Sequence, residues 1–403
     1  MGMLATAAVV GCGGDGLKAS KNTLTVYSSL PYDGEAGAEG RTIEEGIRLA
    51  LAEHDNKAGD FTLHYEPLSD STPQDGGWSA KKTAENARTA ASNDNTIAYI
   101  GEYNSGATEI ALPILNEAGI PMVSPASTAV GLTVGGPAAA GLDPQRLYPS
   151  GRRTFVRVIP NDAVQGAALA ELMRTEGCRR SAIVDDGERY GTGLSRDVQA
   201  AAGRLRLEVV SATQMDPDAG TYRPLARQLA GASVDCVVFA GDPASNAARL
   251  FEDLHAELPR ATLFGAEGLG VPEFLDPRRG GIAPGTARRV RVTSASLPPA
   301  AYSPAGAAFA RDYVRRFGHR PGQLTIYGYE AMNLVIDAIE RAGADGDDRM
   351  AVTEQLFRTQ DRDSVIGSYG IDPNGDTTLT TFGAYTIVNG TLRFDRRLEP
   401  DTR

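Results

Sequence analysis

Two sets of side chains in this sequence have types and spacings suited to chemistry, and the two are complementary. The first lies in a pair of hydroxyl-rich turns. Asn104-Ser105-Gly106 with Thr108 forms one, and Ser124 with Ser127-Thr128 forms the other. The second is a set of acids, Asp185, Asp186, Asp242 and Glu267. Hydroxyls beside the unpaired N–H groups of a helix start hold a small anion. Carboxylates hold a cation. A gap with one set on each wall suits a zwitterion. The plainer reading makes the Ser and Thr ordinary N-caps, and Asp242 and Glu267 caps or solvated turn acids.

The elements that must position these groups follow from hydrophobic period. Thr96 to Thr128 reads TIAYIGEYNSGATEIALPILNEAGIPMVSPAST. Ile97–Ile100 is an apolar run typical of a strand buried on both faces. A helix follows through Ile110, Leu112, Ile114 and Leu115 and stops near Gly119. Pro121-Met122-Val123 is a second buried strand. Alternating strands and helices imply parallel strands with right-handed crossovers. Both polar turns then fall at the carboxyl edge of one sheet, where open α/β sheets bind ligands.

The pattern starts earlier, with strands at Leu24–Tyr27 and Phe61–Tyr65 and helices opened near Thr42 and Trp78. It begins again after Phe155–Val158, an extended segment. Strands at Ala182–Val184, Glu208–Ser211, Val234–Ala240 and Thr262–Gly265 alternate with helices. Asp242 and Glu267 follow two of these strands, which should be neighbours. Tyr32, Tyr190 and Tyr329 are candidates to pave the gap between the halves. The tail, Thr378–Ile387 and Thr391–Phe394 around Asn389-Gly390, alternates like a hairpin and should edge the second half.

Composition narrows the function. A chain of 403 residues fits two to three domains. A net charge of −11 provides no basic face for nucleic acid. The four His are scattered, with no HExxH, no GxxxxGK and no G-x-S-x-G nucleophile elbow. With a single Trp, a sugar-cleaving pair of acids would lack its usual aromatic platform. A binding protein is expected, not an enzyme, with no metal and no cofactor.

Three cysteines remain. Cys178 and Cys236 precede or open apolar runs that are neighbours in the usual order of a doubly wound sheet. Adjacent strands are ~4.8 Å apart, within reach of a disulfide where the side-chain vectors agree. Two buried free thiols are the alternative. Cys12 follows the short apolar run Met3–Val10 and precedes a Gly-rich tract, and this segment resembles the lipobox of a bacterial lipoprotein. That resemblance implies a lipidated Cys12 and a leader that starts upstream.

Taken together, YIGEYNSGATEIALPILNEAGIPMVSPAST, SAIVDDGERYGTGL, VDCVVFAGDPA, TLFGAEG and TIYGYEAMNLVIDAI resemble the solute-binding lipoproteins of branched-chain amino acid ABC importers, the leucine/isoleucine/valine-binding type. The resemblance covers about residues 23–395. It implies an α/β fold of two Rossmann-like, doubly wound lobes joined by a three-crossing hinge, the type I periplasmic binding protein. Residues 1–22 would be leader remnant and tether, 23–153 plus 295–360 one lobe, and 154–294 plus 361–403 the other. By position, Ser105, Gly106, Ser127 and Thr128 match the residues that hold an amino-acid carboxylate, with Ala126 contributing backbone. Tyr190 matches a cleft aromatic, and Glu267 the acid that takes the ammonium.

Two positions depart from that family. Asp242 stands where a Tyr is usual, which favours a more cationic ligand, an amide or a polyamine-like compound. Asn104 occupies one position of a first-lobe disulfide. The implied partners are a small amino acid or amide, an ABC permease and its ATPase, and the membrane through a lipid anchor only. The implied state is an extracytoplasmic monomer. The alternative is a sensing module of the same fold that signals to a partner.

Overall fold

The structure, a computed structural model, describes residues 22–74, 77–136, 139 and 141–401. Cys12 and the tether to residue 21 lie outside the described residues.

Strand β1 (Thr23–Leu30) leads into helix α1 (Gly37–Glu53), then β2 (Lys57–Ala58) and β3 (Phe61–Ser69). Helix α2 (Ala80–Ala91), β4 (Thr96–Ile100), α3 (Ser105–Glu117), β5 (Met122–Ser124) and β6 (Phe155–Arg157) follow. These strands form one sheet in the order β2-β3-β1-β4-β5-β6. All pairs in it are parallel except β2 with β3. Every residue of β4 is buried, because helices cover both faces, and its sequence is accordingly apolar throughout. The sheet extends past residue 153, since β6 pairs with β5 through Val156 and Val123.

The second half repeats the scheme. Helix α4 (Asp162–Thr175), β7 (Arg180–Asp185), α5 (Arg189–Arg204), β8 (Glu208–Gln214) and α6 (Arg223–Gly231) lead to β9 (Cys236–Ala240). Helix α7 (Ala247–Glu257), β10 (Thr262–Gly265) and β11 (Val290–Ser294) complete its parallel part. The chain then builds α8 (Pro304–Phe317), α9 (Thr325–Ala342) and α10 (Arg349–Phe357) against the first sheet. It returns as the antiparallel hairpin β12 (Phe382–Val388) and β13 (Thr391–Leu398). The second sheet runs β8-β7-β9-β10-β11-β12-β13, so the hairpin forms its edge. The chain passes between the halves three times, after β6, after β11 and after α10.

Helix α1 begins at Gly37, ahead of the start expected near Thr42. Thr42 is inside the helix and its hydroxyl donates to the Glu39 carbonyl. The early start depends on packing without a local cap. A Cβ on Gly40 would lie 1.8 Å from the Pro31 carbonyl oxygen, so the helix can reach back over the end of β1 only with glycine there.

In both sheets the strand order reverses direction beside the first strand, at β1/β4 and at β7/β9. Ligands in open α/β sheets sit outside the carboxyl ends of strands at such points. Here the two points face each other. Among the described residues no helix is long and apolar enough to cross a membrane.

Candidate functional site

A cavity of about 370 Å³ lies between the two switch points. From the first lobe it is lined by Pro31, Trp78, Tyr103, Asn104, Ser105, Gly106, Ala126 and Thr128. From the second come Glu188, Tyr190, Asp242, Ser245, Glu267 and Gly268, and Leu324, just before α9, also lines it. Seven of the eight ligand residues expected from sequence therefore share one cavity.

Ser127 is the exception. It is fully buried, and its hydroxyl donates to the Glu102 carbonyl at 2.9 Å and lies 2.6 Å from the Thr108 hydroxyl. The hydroxyls of these turns mostly hold the turns to each other. Ser124 Oγ donates to the Glu102 carbonyl and accepts the N–H groups of Ala126 and Ser127. Ser105 Oγ accepts the N–H of Ala129 at 3.1 Å. This network fixes the first turn of α3 beside Ala126 and Thr128, so the N–H groups of that turn form a donor surface with the positive end of the helix behind it.

The turn at 127–129 is also held from below. Arg157 is fully buried, and its Nη1 donates to the carbonyls of Ser127 (3.1 Å) and Ala129 (2.9 Å). Its Nε donates to Asp376 Oδ1 at 2.6 Å. Asp376 Oδ2 in turn accepts from Asn161 Nδ2 at 2.9 Å. The pair joins the turn at 127–129 to two of the three crossings.

The opposite wall is acidic. Asp242 and Glu267 follow β9 and β10, which pair in parallel. Glu267 accepts a hydrogen bond from Gln165 Nε2, and the Tyr190 hydroxyl donates to Gln165 Oε1 at 3.3 Å. Burial pushes the Glu267 carboxyl up to about 7, against the Gln165 bond. Burial likewise pushes Asp242 up to about 6, and the nearby Asp186 raises it further. Both acids ionise at higher pH than ordinary carboxylates, and a ligand cation beside them would favour their ionised forms.

Two contacts bridge the lobes at the cavity. Asn104 Nδ2 donates to Asp242 Oδ2 at 3.2 Å. Arg189 forks onto Glu109 of α3, with Nε to Oε2 at 2.7 Å and Nη2 to Oε1 at 3.2 Å. Asn104 occupies the N-cap position of α3 without capping it through its side chain, because its amide reaches across the cleft.

A family model described as periplasmic binding protein matches residues 28–391. The chain belongs to the periplasmic binding protein family. Relatives of this binding protein include the Leu/Ile/Val-binding protein BraC3 of Rhizobium johnstonii, 24% identical over 371 residues, covering 92% of this chain and 93% of the relative. Another is the leucine-, isoleucine-, valine-, threonine- and alanine-binding protein of Pseudomonas aeruginosa, 22% identical, covering 73% and 72% of the two chains. Among solved structures, a leucine-binding protein of Thermotoga maritima superposes with a TM-score of 0.78 at 24% identity, covering 94% of this chain and 99% of its own. A solute-binding protein of Rhodopseudomonas palustris in complex with benzoate gives 0.75 at 17%, covering 94% and 97%. These likenesses show the type I periplasmic binding fold, with two α/β lobes.

Sequence reasoning missed several residues of this family member's cleft. Trp78 lines the cavity from a two-residue strand, Gly77–Trp78, paired with Ser71–Thr72, where a helix start was expected. It is the single Trp of the chain and directly follows Gly76-Gly77 in sequence, which was the available signal. Gln165 lies on α4, four residues past the N-cap Asn161, and no local pattern distinguishes it. Of the other tyrosines expected to pave the cleft, Tyr329 stacks on Phe309 at 4.9 Å and donates to Glu53, away from the cavity. Tyr32 is also outside the lining, with its backbone N–H on Ser71 Oγ.

Proposed function

We propose that this protein is the extracytoplasmic solute-binding component of an ABC importer, which captures a small amino acid or related amide between its lobes and delivers it to a permease. The observation that carries the reading is the opposition across one cavity of the first turn of α3 and Glu267. The N–H groups of Ser105 and Gly106, with Thr128 and the backbone at Ala126, receive the carboxylate. Glu267 receives the ammonium, and Tyr190 and Trp78 provide apolar walls. The named functions of the relatives, leucine-, isoleucine- and valine-binding, support an amino-acid ligand.

Closure is a two-state shift. The ligand favours the closed form by contacts it makes with both walls at once. The lobes are taken as the units that move, with the three crossings as hinge. The protein acts as a monomer, and Cys12 carries the lipid that tethers it to the membrane, through the Gly-rich segment after it.

A thermal-shift screen of the purified protein against amino acids and amides tests the reading. An amino acid at 100 times its Kd adds about 2.7 kcal/mol to stability and raises the midpoint. No shift with any amino acid or amide would count against it. Metabolic lipid labelling that is lost in Cys12→Ala tests the anchor separately.

A further inference from the structure

We propose that the ligand carries a second cationic group besides its α-ammonium, and that Asp242 and Glu188 receive it, so that the ligands are amino acids with an ammonium or guanidinium side chain. This rests on the amino-acid reading of the cleft and deepens it.

The charges around the cavity do not balance for a neutral side chain. Glu188, Asp242 and Glu267 line it, and no Lys, Arg or His is among the described lining residues. The neighbouring cation, Arg189, is already forked onto Glu109. An α-ammonium neutralises Glu267, and the α-carboxylate is met by the donors at α3. Asp242 and Glu188 are left over.

Both leftover acids are held in place by a carboxylate beneath them. Asp186 is 4% exposed. Its Oδ2 accepts the N–H of Asp242 at 2.8 Å and the hydroxyl of Ser245 at 2.9 Å, and its Oδ1 accepts the N–H of Glu188 at 3.0 Å. Neutral donors alone satisfy Asp242, with Ala244 N on Oδ1 and Asn104 Nδ2 on Oδ2. Glu188 is exposed, and its carboxylate has no hydrogen bond or ion pair among the described residues, though the Arg189 charge acts on it. From the other lobe Glu35 adds a further carboxyl. Burial pushes it up to about 7, with Asp242 and Glu273 adding to the effect.

Closing this end over an aliphatic side chain would crowd Asp242 and Glu188 together with only Arg189, already paired with Glu109, to offset them, which is costly. An ammonium or guanidinium there offsets that repulsion. The aromatic surfaces of Trp78 and Tyr190 accommodate a methylene stem and favour a cation nearby.

Isothermal titration of the purified protein at pH 7.5 against ornithine, lysine, arginine, leucine, glutamine and putrescine decides the matter. One of the three basic amino acids should bind at least tenfold more tightly than leucine and glutamine. Asp242→Asn and Glu188→Gln should each reduce that basic-to-neutral affinity ratio by fivefold or more, and added salt should reduce it too. Leucine or glutamine binding most tightly overturns the inference and leaves the amino-acid reading intact. Putrescine binding most tightly, or no binding by any amino acid, overturns the amino-acid reading itself. The wild-type panel alone suffices if a variant fails to fold.

Discussion

Arg157 and Asp376 meet at 2.6 Å, joining β6 to the last crossing. The Arg157 side chain is fully buried and that of Asp376 is 10% exposed. The guanidinium also binds two carbonyls of the turn that lines the cavity. Removing one partner leaves the other charge buried and unpaired, which costs about 3–5 kcal/mol. Arg157→Met should therefore lower the unfolding free energy by about that much in urea titrations. Arg157→Met combined with Asp376→Leu should recover part of the loss. Ligand affinity should fall in both, since the 127–129 carbonyls lose their tie.

Glu267 should make binding depend on pH. Its free-protein value, about 7, lies well above that of an ordinary glutamate, and a bound ammonium favours its ionised form. Binding should thus release a proton near neutrality, and affinity should fall as pH drops below about 7. Titration calorimetry in buffers of different ionisation enthalpy should read this as proton release. Glu267→Gln should remove the component of the pH dependence centred near pH 7, leaving that of Asp242 near pH 6, and weaken binding by at least tenfold.

Several buried carboxyls set the pH dependence of stability in the ligand-free protein. Burial pushes Asp70 up to about 7, and it does the same to Asp197 and Glu267. Between the unfolded value near 4 and these folded values, the folded state binds more protons than the unfolded state. Its advantage is full below about pH 4 at these groups and is lost as pH rises through about 7. Thermal midpoints from differential scanning fluorimetry should fall between pH 5 and pH 8. A rise over that range would contradict the burial of these acids.

The Arg189–Glu109 pair should act on closure more than on folding. Its side chains are 28% and 35% exposed, so solvent screens it, and a contribution of about 0.2–1 kcal/mol is expected. Glu109→Gln should weaken ligand binding by up to about fivefold and leave the thermal midpoint of the ligand-free protein nearly unchanged. Small-angle scattering with saturating ligand should still show the compact form.

Cys178 and Cys236 are joined in the structure, with Cα atoms 5.8 Å apart and a separation of 58 positions in sequence. They lie at the amino ends of β7 and β9, opposite the cleft. The purified protein should show no reactive thiol at these positions until it is reduced. A loop of this length corresponds to about 4 kcal/mol of stability in the chain-entropy account. Cys178→Ala with Cys236→Ala should lower the thermal midpoint and leave ligand affinity within twofold.

The strands and their parallel order were legible because residues such as Ile97–Ile100 and Val237–Ala240 are buried on both faces and carry uninterrupted apolar runs. The positions of Asp242 and Glu267 followed from the same logic, since each ends a strand. Side-chain direction was much less legible. Ser127 and Thr128 are adjacent and both suit an anion site, yet Thr128 lines the cavity while Ser127 is spent on Glu102 and Thr108. Asn104 has the residue type of a cap, but a partner 138 positions away takes its amide. Gln165 and Trp78 reach the cleft through the packing of whole elements. No local spacing encodes such arrivals.

Helix α3 has two ends of one task within a single turn and a half. Its opening residues line the cavity, and Glu109, four positions after Ser105, grips the opposing lobe. A stiff rod cannot tilt at one of these places and stay still at the other. In the proposed importer, occupancy would thus be converted into outward shape without a messenger, and a membrane partner would tell a loaded carrier from an empty one by the spacing of its two rims, blind to what is held inside.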